Sequence, residues 1–160
     1  MLIPALIREN SDAIYILGLN TAGEQVSGGA FVCYDYRATN SLGIAVFKPT
    51  TSGVTLFAGI VAGQINAGGA NTDIAISSYG LIQAWGLNVS VKHNMGLASV
   101  SAAGHWLIPW NASYSGQSYR ISAGFAASWT SEAITIARGC FVMDNTVSGS
   151  GWCRAFVRAL

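Results

Sequence analysis

Residues 74–92 read IAISSYGLIQAWGLNVSVK, and the fold class rests on how they alternate. From Leu81 onward the odd positions Leu81, Trp85, Leu87, Val89 and Val91 are apolar, while Gln83, Asn88, Ser90 and Lys92 supply the polarity. A period of two is the mark of a half-buried strand. Ile74 and Ile76 carry the alternation on even positions, so the phase reverses within 77–80, as a turn between strands produces. On this reading the odd apolar set, Trp85 included, is the core face. Gly80 and Gly86 are bends or close backbone approaches.

Working outward, 13–19 (AIYILGL) is a short apolar strand, followed by turn chemistry at 20–23 and 27–29. Residues 30–36 form a second strand, with Val32, Tyr34 and Tyr36 as its expected core face, because the opposite choice buries Asp35. Strands at 42–48 and 54–61 are separated by PTTSG (49–53), read as a hairpin loop. AGQINAGGANT (62–72) is a glycine-rich loop, and Pro109 places a strand end or edge in 97–110. Residues 120–129 are strand or short helix, and 132–137 alternate. His93 is expected at the surface. NTVSGSG (145–151) is the tip of a last hairpin, across which Cys140 and Cys153 could face each other. The closing strand WCRAFVRAL sets Arg154 and Arg158 against Cys153, Ala155, Val157 and Ala159, with Phe156 among the arginines.

No segment of ten residues keeps a 3.6 period, and turn signals recur at a spacing near ten. The expectation is therefore all-β: one antiparallel sandwich or small barrel over 13–160, preceded by an apolar N-terminal arm over 1–12. A chain of 160 residues is long enough to bury a core without staples.

Composition narrows function by exclusion. Hydrophobic residues make up 51% and charged residues 9%, and the mean hydropathy is +0.42. Such a surface needs covering. No run reaches the ~18 apolar residues of a membrane-spanning helix. A transmembrane barrel stays conceivable but needs about eight alternating strands of about ten residues and an exported chain, and MLIPALIREN has no basic stretch before its apolar residues. Other subunits are therefore the expected cover, and no membrane partner is expected. A net charge of +1 with dispersed arginines gives no field for nucleic acid. Three cysteines without CxxC spacing argue against a metal site or disulfide framework, and no cofactor is expected. Most of the seven carboxylates sit in or beside turns, and His93 and His105 accompany no GxSxG or HExxH. No catalytic residue is assigned.

Trp106 and Trp110, flanking Pro109, are candidates for an exposed platform. The interface residues expected from sequence are Leu2, Ile3, Leu6 and Ile7 of the arm, Asn66 and Asn71 of the glycine-rich loop, and Trp106 and Trp110. With Trp129, the last two also admit an alternative, a carbohydrate-binding β domain of a phage fibre or surface lectin.

The order YGLIQAWGLNVSVK (79–92), LASVSAAGHWLIP (97–109), SAGFAASW (122–129), IARGCFVMD (136–144) and GWCRAFVRAL (151–160) resembles that of tailed-bacteriophage capsid decoration, or cement, proteins and related minor virion proteins. The resemblance covers about residues 55–160; the chain has less charge in its loops than that class. It implies a non-enzymatic protein made in the host cytoplasm. Such a protein sits on the outer surface of an icosahedral head, binding the major capsid protein as a homo-oligomer, usually a trimer.

Overall fold

The computed structural model describes residues 13–35, 44–49, 57–64, 72–94, 100–101, 103–104, 106–109, 118–121, 140–144, 147–148 and 150–159. Among them are eleven strands and no helix: β1 (Ile14–Asn20), β2 (Phe31–Tyr34), β3 (Ala45–Phe47), β4 (Phe57–Gln64), β5 (Tyr79–Asn94), β6 (Val100–Ser101), β7 (Trp106–Pro109), β8 (Ser118–Ile121), β9 (Cys140–Val142), β10 (Val147–Ser148) and β11 (Ser150–Arg158). The protein is all-β, as the alternation predicts.

Nine strands form one mixed sheet in the order β1-β3-β2-β4-β5-β11-β9-β7-β8, with β1 and β8 both returning to β5. The returns close two circuits. Gln83 is paired with Tyr15 on one edge of β5 and Ile60 on the other; Trp85 is paired with Ile14 and Arg158, and His93 with Ser118 and Gly151. Hence β1 and β8 share one edge of β5, and β4 and β11 share the other. The first half of its 16 residues completes the ring β1-β3-β2-β4, and the second half completes β11-β9-β7-β8. Pairings are antiparallel except β1 with β3 and β5 with β8, and β6 and β10 form a separate two-stranded ladder.

A five-stranded ring is narrower than the eight-stranded barrels whose lumen side chains just fill. Small residues must therefore face inward. In β5 the buried set is Gly80, Ile82, Ala84, Gly86 and Asn88 with Gln83 beside them, then Val91 and His93 after a register shift opposite Cys153 and Ala155. This corrects the odd-numbered expectation: Leu81 and Trp85 are only half-buried and Leu87 is 49% exposed. An indole does not fit where Gly18 already lies so close to Ile82 that a Cβ there would fall 2.8 Å from Ile82 Cγ1. Val91 is buried because the bulge flips the phase.

Two apolar clusters result. Ile16, Val26, Val32, Val46, Val61, Ile74 and Ile82 fill the first ring with Ala30, Ala58 and Ala84. Val91, Leu107, Cys140, Val142, Cys153, Ala155 and Val157 of the second ring pack on Phe31, Phe57 and Ile60 from the back of the first. Consequently Phe31, Val32 and Cys33 are all buried, and β2 has no solvent face. Asp35 is half-buried and accepts a hydrogen bond from Thr21 Oγ1 at 2.9 Å.

Three further expectations are corrected. β3 and β4 are not a hairpin, because β2 lies between them and pairs with both. His93 is buried, 2% exposed, rather than at the surface. Cys140 lies opposite Val157 and Cys153 opposite Val91, so the two thiols do not face each other across the ladder. In β11 the alternation holds: Cys153, Ala155 and Val157 are buried and Arg154 and Arg158 exposed. Pro109 ends β7 as expected.

Candidate functional site: an aromatic ladder on the outer sheet face

Residues that point away from the second ring's interior form a continuous surface across four neighbouring strands. Register fixes which side chains meet: Leu87 of β5 is paired with Phe156 of β11, Phe156 with Phe141 of β9, and Phe141 with Trp106 of β7. Their rings form a ladder. Trp85 meets Phe156 edge-on at 5.2 Å and 85°, Phe156 stacks on Phe141 at 5.2 Å and 20°, and Phe141 meets Trp106 at 5.6 Å and 72°. These are the offset and T-shaped geometries that aromatic quadrupoles favour. All four rings are half-buried.

Around the ladder lie apolar side chains that the closed sheet leaves in solvent: Leu87 at 49%, Met143 at 43% and Trp152 at 54% exposure. Single exposed apolar residues are ordinary, but Leu87 lies on, and Met143 directly follows, a strand that carries one of the four aromatic rings, and such a grouping suits an interaction surface.

Among the described residues this face carries Lys92, Arg154 and Arg158, with Asp144 beside Arg154 and Asp73 near Lys92. Arg154 Nε donates to Asp144 Oδ1 at 2.6 Å, and the Arg154 amide donates to Oδ2 at 2.6 Å. The amide, then the guanidinium, hold the Asp144 carboxyl below its usual range. Lys92 Nζ lies 5.0 Å from the centre of the Trp152 ring, a cation–π contact. Burial lowers the Lys92 pKa, and Asp73 partly opposes that shift. The indole also covers Gly29, whose φ is +72 and whose place admits no Cβ, since one would collide with the Ser90 carbonyl oxygen and fall 2.5 Å from Trp152 Cζ3. Trp152 is thereby fixed between the loop before β2 and the Lys92 ammonium. Arg158, exposed and directly across the ladder from Trp85, makes no ion pair among the described residues.

Behind the face, two buried amides stabilise the bend in β5. Gly86 has φ +103, and Gln83 Nε2 reaches past it to donate to the carbonyls of Trp85 at 3.2 Å and Leu87 at 3.1 Å. The side chains are used for architecture. Among the described residues no group of three or more His, Cys, Asp or Glu is placed to hold a metal ion.

Of the interface residues expected from sequence, Trp106 closes one end of the ladder. Leu2, Ile3, Leu6, Ile7, Asn66, Asn71 and Trp110 lie outside the described residues, as does Trp129. Sequence reasoning did not single out Leu87, Phe141 or Arg158 as a surface. The available signal was Phe156 between two arginines on the outward positions of the last strand. No protein-family model matches the chain, and no curated protein matches it.

Proposed function

We propose that this chain is a non-enzymatic structural protein of a phage head, which binds the assembled shell of the major capsid protein on its outer surface as a homo-oligomer, with a trimer expected. The observation that carries the reading is the outer face of β5, β11, β9 and β7. Four half-buried aromatic rings and three exposed apolar side chains lie on a sheet whose lumen is already filled by other residues. Those outward side chains are not needed to fill either ring. Their geometry suits the flat, aromatic-rich core of a protein–protein interface, where Trp, Phe and Met are enriched. The low charge of the chain lowers the desolvation cost of close packing. The order of segments along 55–160 supports the same reading, which needs no cofactor, nucleic acid or membrane.

The test is co-sedimentation. The purified protein is expected to be a concentration-stable oligomer that saturates emptied shells of its major capsid protein and ignores free coat subunits. A monodisperse monomer left in the supernatant refutes the reading. A glycan array read by tryptophan fluorescence covers the carbohydrate alternative, and silence is expected.

A further inference from the structure

The ladder face has a charge pattern that selects what it meets. Among the described residues its outward cations are Lys92, Arg154 and Arg158, and its acids are Asp144 and, next to Lys92, Asp73. Asp144 is engaged by both the amide and the guanidinium of Arg154, and Lys92 is seated over Trp152. Among the described residues Arg158, beside Trp85 at the rim, is therefore the cation of this face without an ion pair or ring contact, and is open to a partner.

A second copy of the same face, brought up on a two-fold axis, supplies among the described residues only carboxylates already engaged in their own copy, Asp144 and Asp73. It would set basic residues against basic residues around a shared apolar patch, which opposes association. Glu24 is committed to Lys48 at 3.0 Å, and Asp73 accepts hydrogen bonds from Gln25 and the Gly28 amide on the first ring. Asp73 is also close enough to Lys92 to act on its charge, and its carboxylate is held by its own copy.

We infer that the ladder docks on a different protein surface, apolar where it covers Leu87 and Phe156 and bearing a carboxylate opposite Arg158, and that the homo-oligomer is held elsewhere. The inference rests on the shell-binding reading and identifies the surface that makes the contact. A guanidinium at the rim of an apolar contact aligns the partner and speeds encounter, so its effect must fall as salt rises.

The experiment compares the unaltered full chain with Arg158→Glu, Arg158→Lys and Leu87→Ser, using emptied shells as the probe. Co-sedimentation is read at about 50 mM and about 500 mM salt, beyond which exposed charges are largely screened. Sedimentation velocity gives the oligomer, and thermal melting checks the fold. Arg158→Glu is expected to weaken shell binding about tenfold at low salt, a 1.4 kcal/mol change, with the gap closing at high salt. Arg158→Lys should stay within about threefold, and Leu87→Ser should weaken binding at both salts; all three should keep the parent oligomer. Arg158→Glu binding shells as well as the parent at low salt overturns the carboxylate. If Leu87→Ser alone loses binding, shell docking stands without it. Loss of the oligomer in folded Leu87→Ser or Arg158→Glu makes the face a self-association surface and refutes the inference. Failure of the unaltered protein to sediment with shells refutes the functional reading itself, and this inference with it.

Discussion

Asn88 Nδ2 donates to Gln83 Oε1 at 2.9 Å, joining two buried side chains five residues apart on one strand. Gln83 then donates to the Trp85 and Leu87 carbonyls, and Asn88 Oδ1 accepts from the Ser90 amide at 2.8 Å. The two amides thus satisfy main-chain groups on both sides of the Gly86 bend, at the point where β5 passes from one ring to the other.

Gln83→Leu should therefore cost about 2–4 kcal/mol, because it strands two carbonyls and the Asn88 amide rather than removing one bond. The double variant Gln83→Leu/Asn88→Leu should cost clearly less than the two single changes added together. Urea unfolding measures both. Additivity within about 0.5 kcal/mol would show that the pair does not act as a unit.

Burial of the apolar side chains in β5 follows the even positions up to the bulge. Ile82→Ala should cost about 2–5 kcal/mol and Leu87→Ala about 0.5 kcal/mol or less. Trp85→Ala falls between, at about 1–2 kcal/mol, since a half-buried indole loses one edge-on ring contact and part of its packing. A larger loss at Leu87 than at Ile82 in thermal or urea unfolding would overturn this phase.

Cys33 and Cys153 are pushed up to about 12 by burial, and burial raises Cys140 well above its ordinary value. Since the thiolate is the reacting form, the folded protein should resist a disulfide-exchange reagent at about pH 8 and release three thiols only in denaturant. Prompt labelling of the folded protein would contradict their placement.

Asp144 provides a pH test. Its folded pKa is depressed, so the stability it contributes is present above the unfolded value and is lost as pH falls below about 4. Asp144→Asn should lower stability by less than about 1 kcal/mol at pH 7, as suits a solvent-facing pair. The parent and variant melting curves should converge near pH 2. A gap that persists there would place the effect of the substitution elsewhere.

Strand positions were legible where polar spacing and turn residues were regular. In β11 the arginines alternate with Cys153, Ala155 and Val157 without interruption, and the buried face follows directly. In β5 the same logic chose the wrong face, since hydrophobicity ranks Trp85 above Ala84, whereas the narrow lumen selects by size. The bulge beyond Asn88 then restores odd residues to the interior. β2 misled because the second ring packs on its back, through contacts remote in sequence. The candidate site was legible only at Trp106. Its neighbours along the ladder come from β9, β11 and β5, and registers between distant strands leave no trace in local pattern.

The sharing of β5 also orders events on the ribosome. All strands of the first ring lie within the first 94 residues, whereas the second needs β11, which ends at Arg158. Until that segment emerges, Phe31, Phe57 and Ile60 have no cover from Ala155 and Val157. A nascent chain stopped after Asn94 should bind an apolar dye that the finished protein excludes, and a chaperone would find its target there. Equal dye binding by the two would show that the first ring conceals this patch unaided.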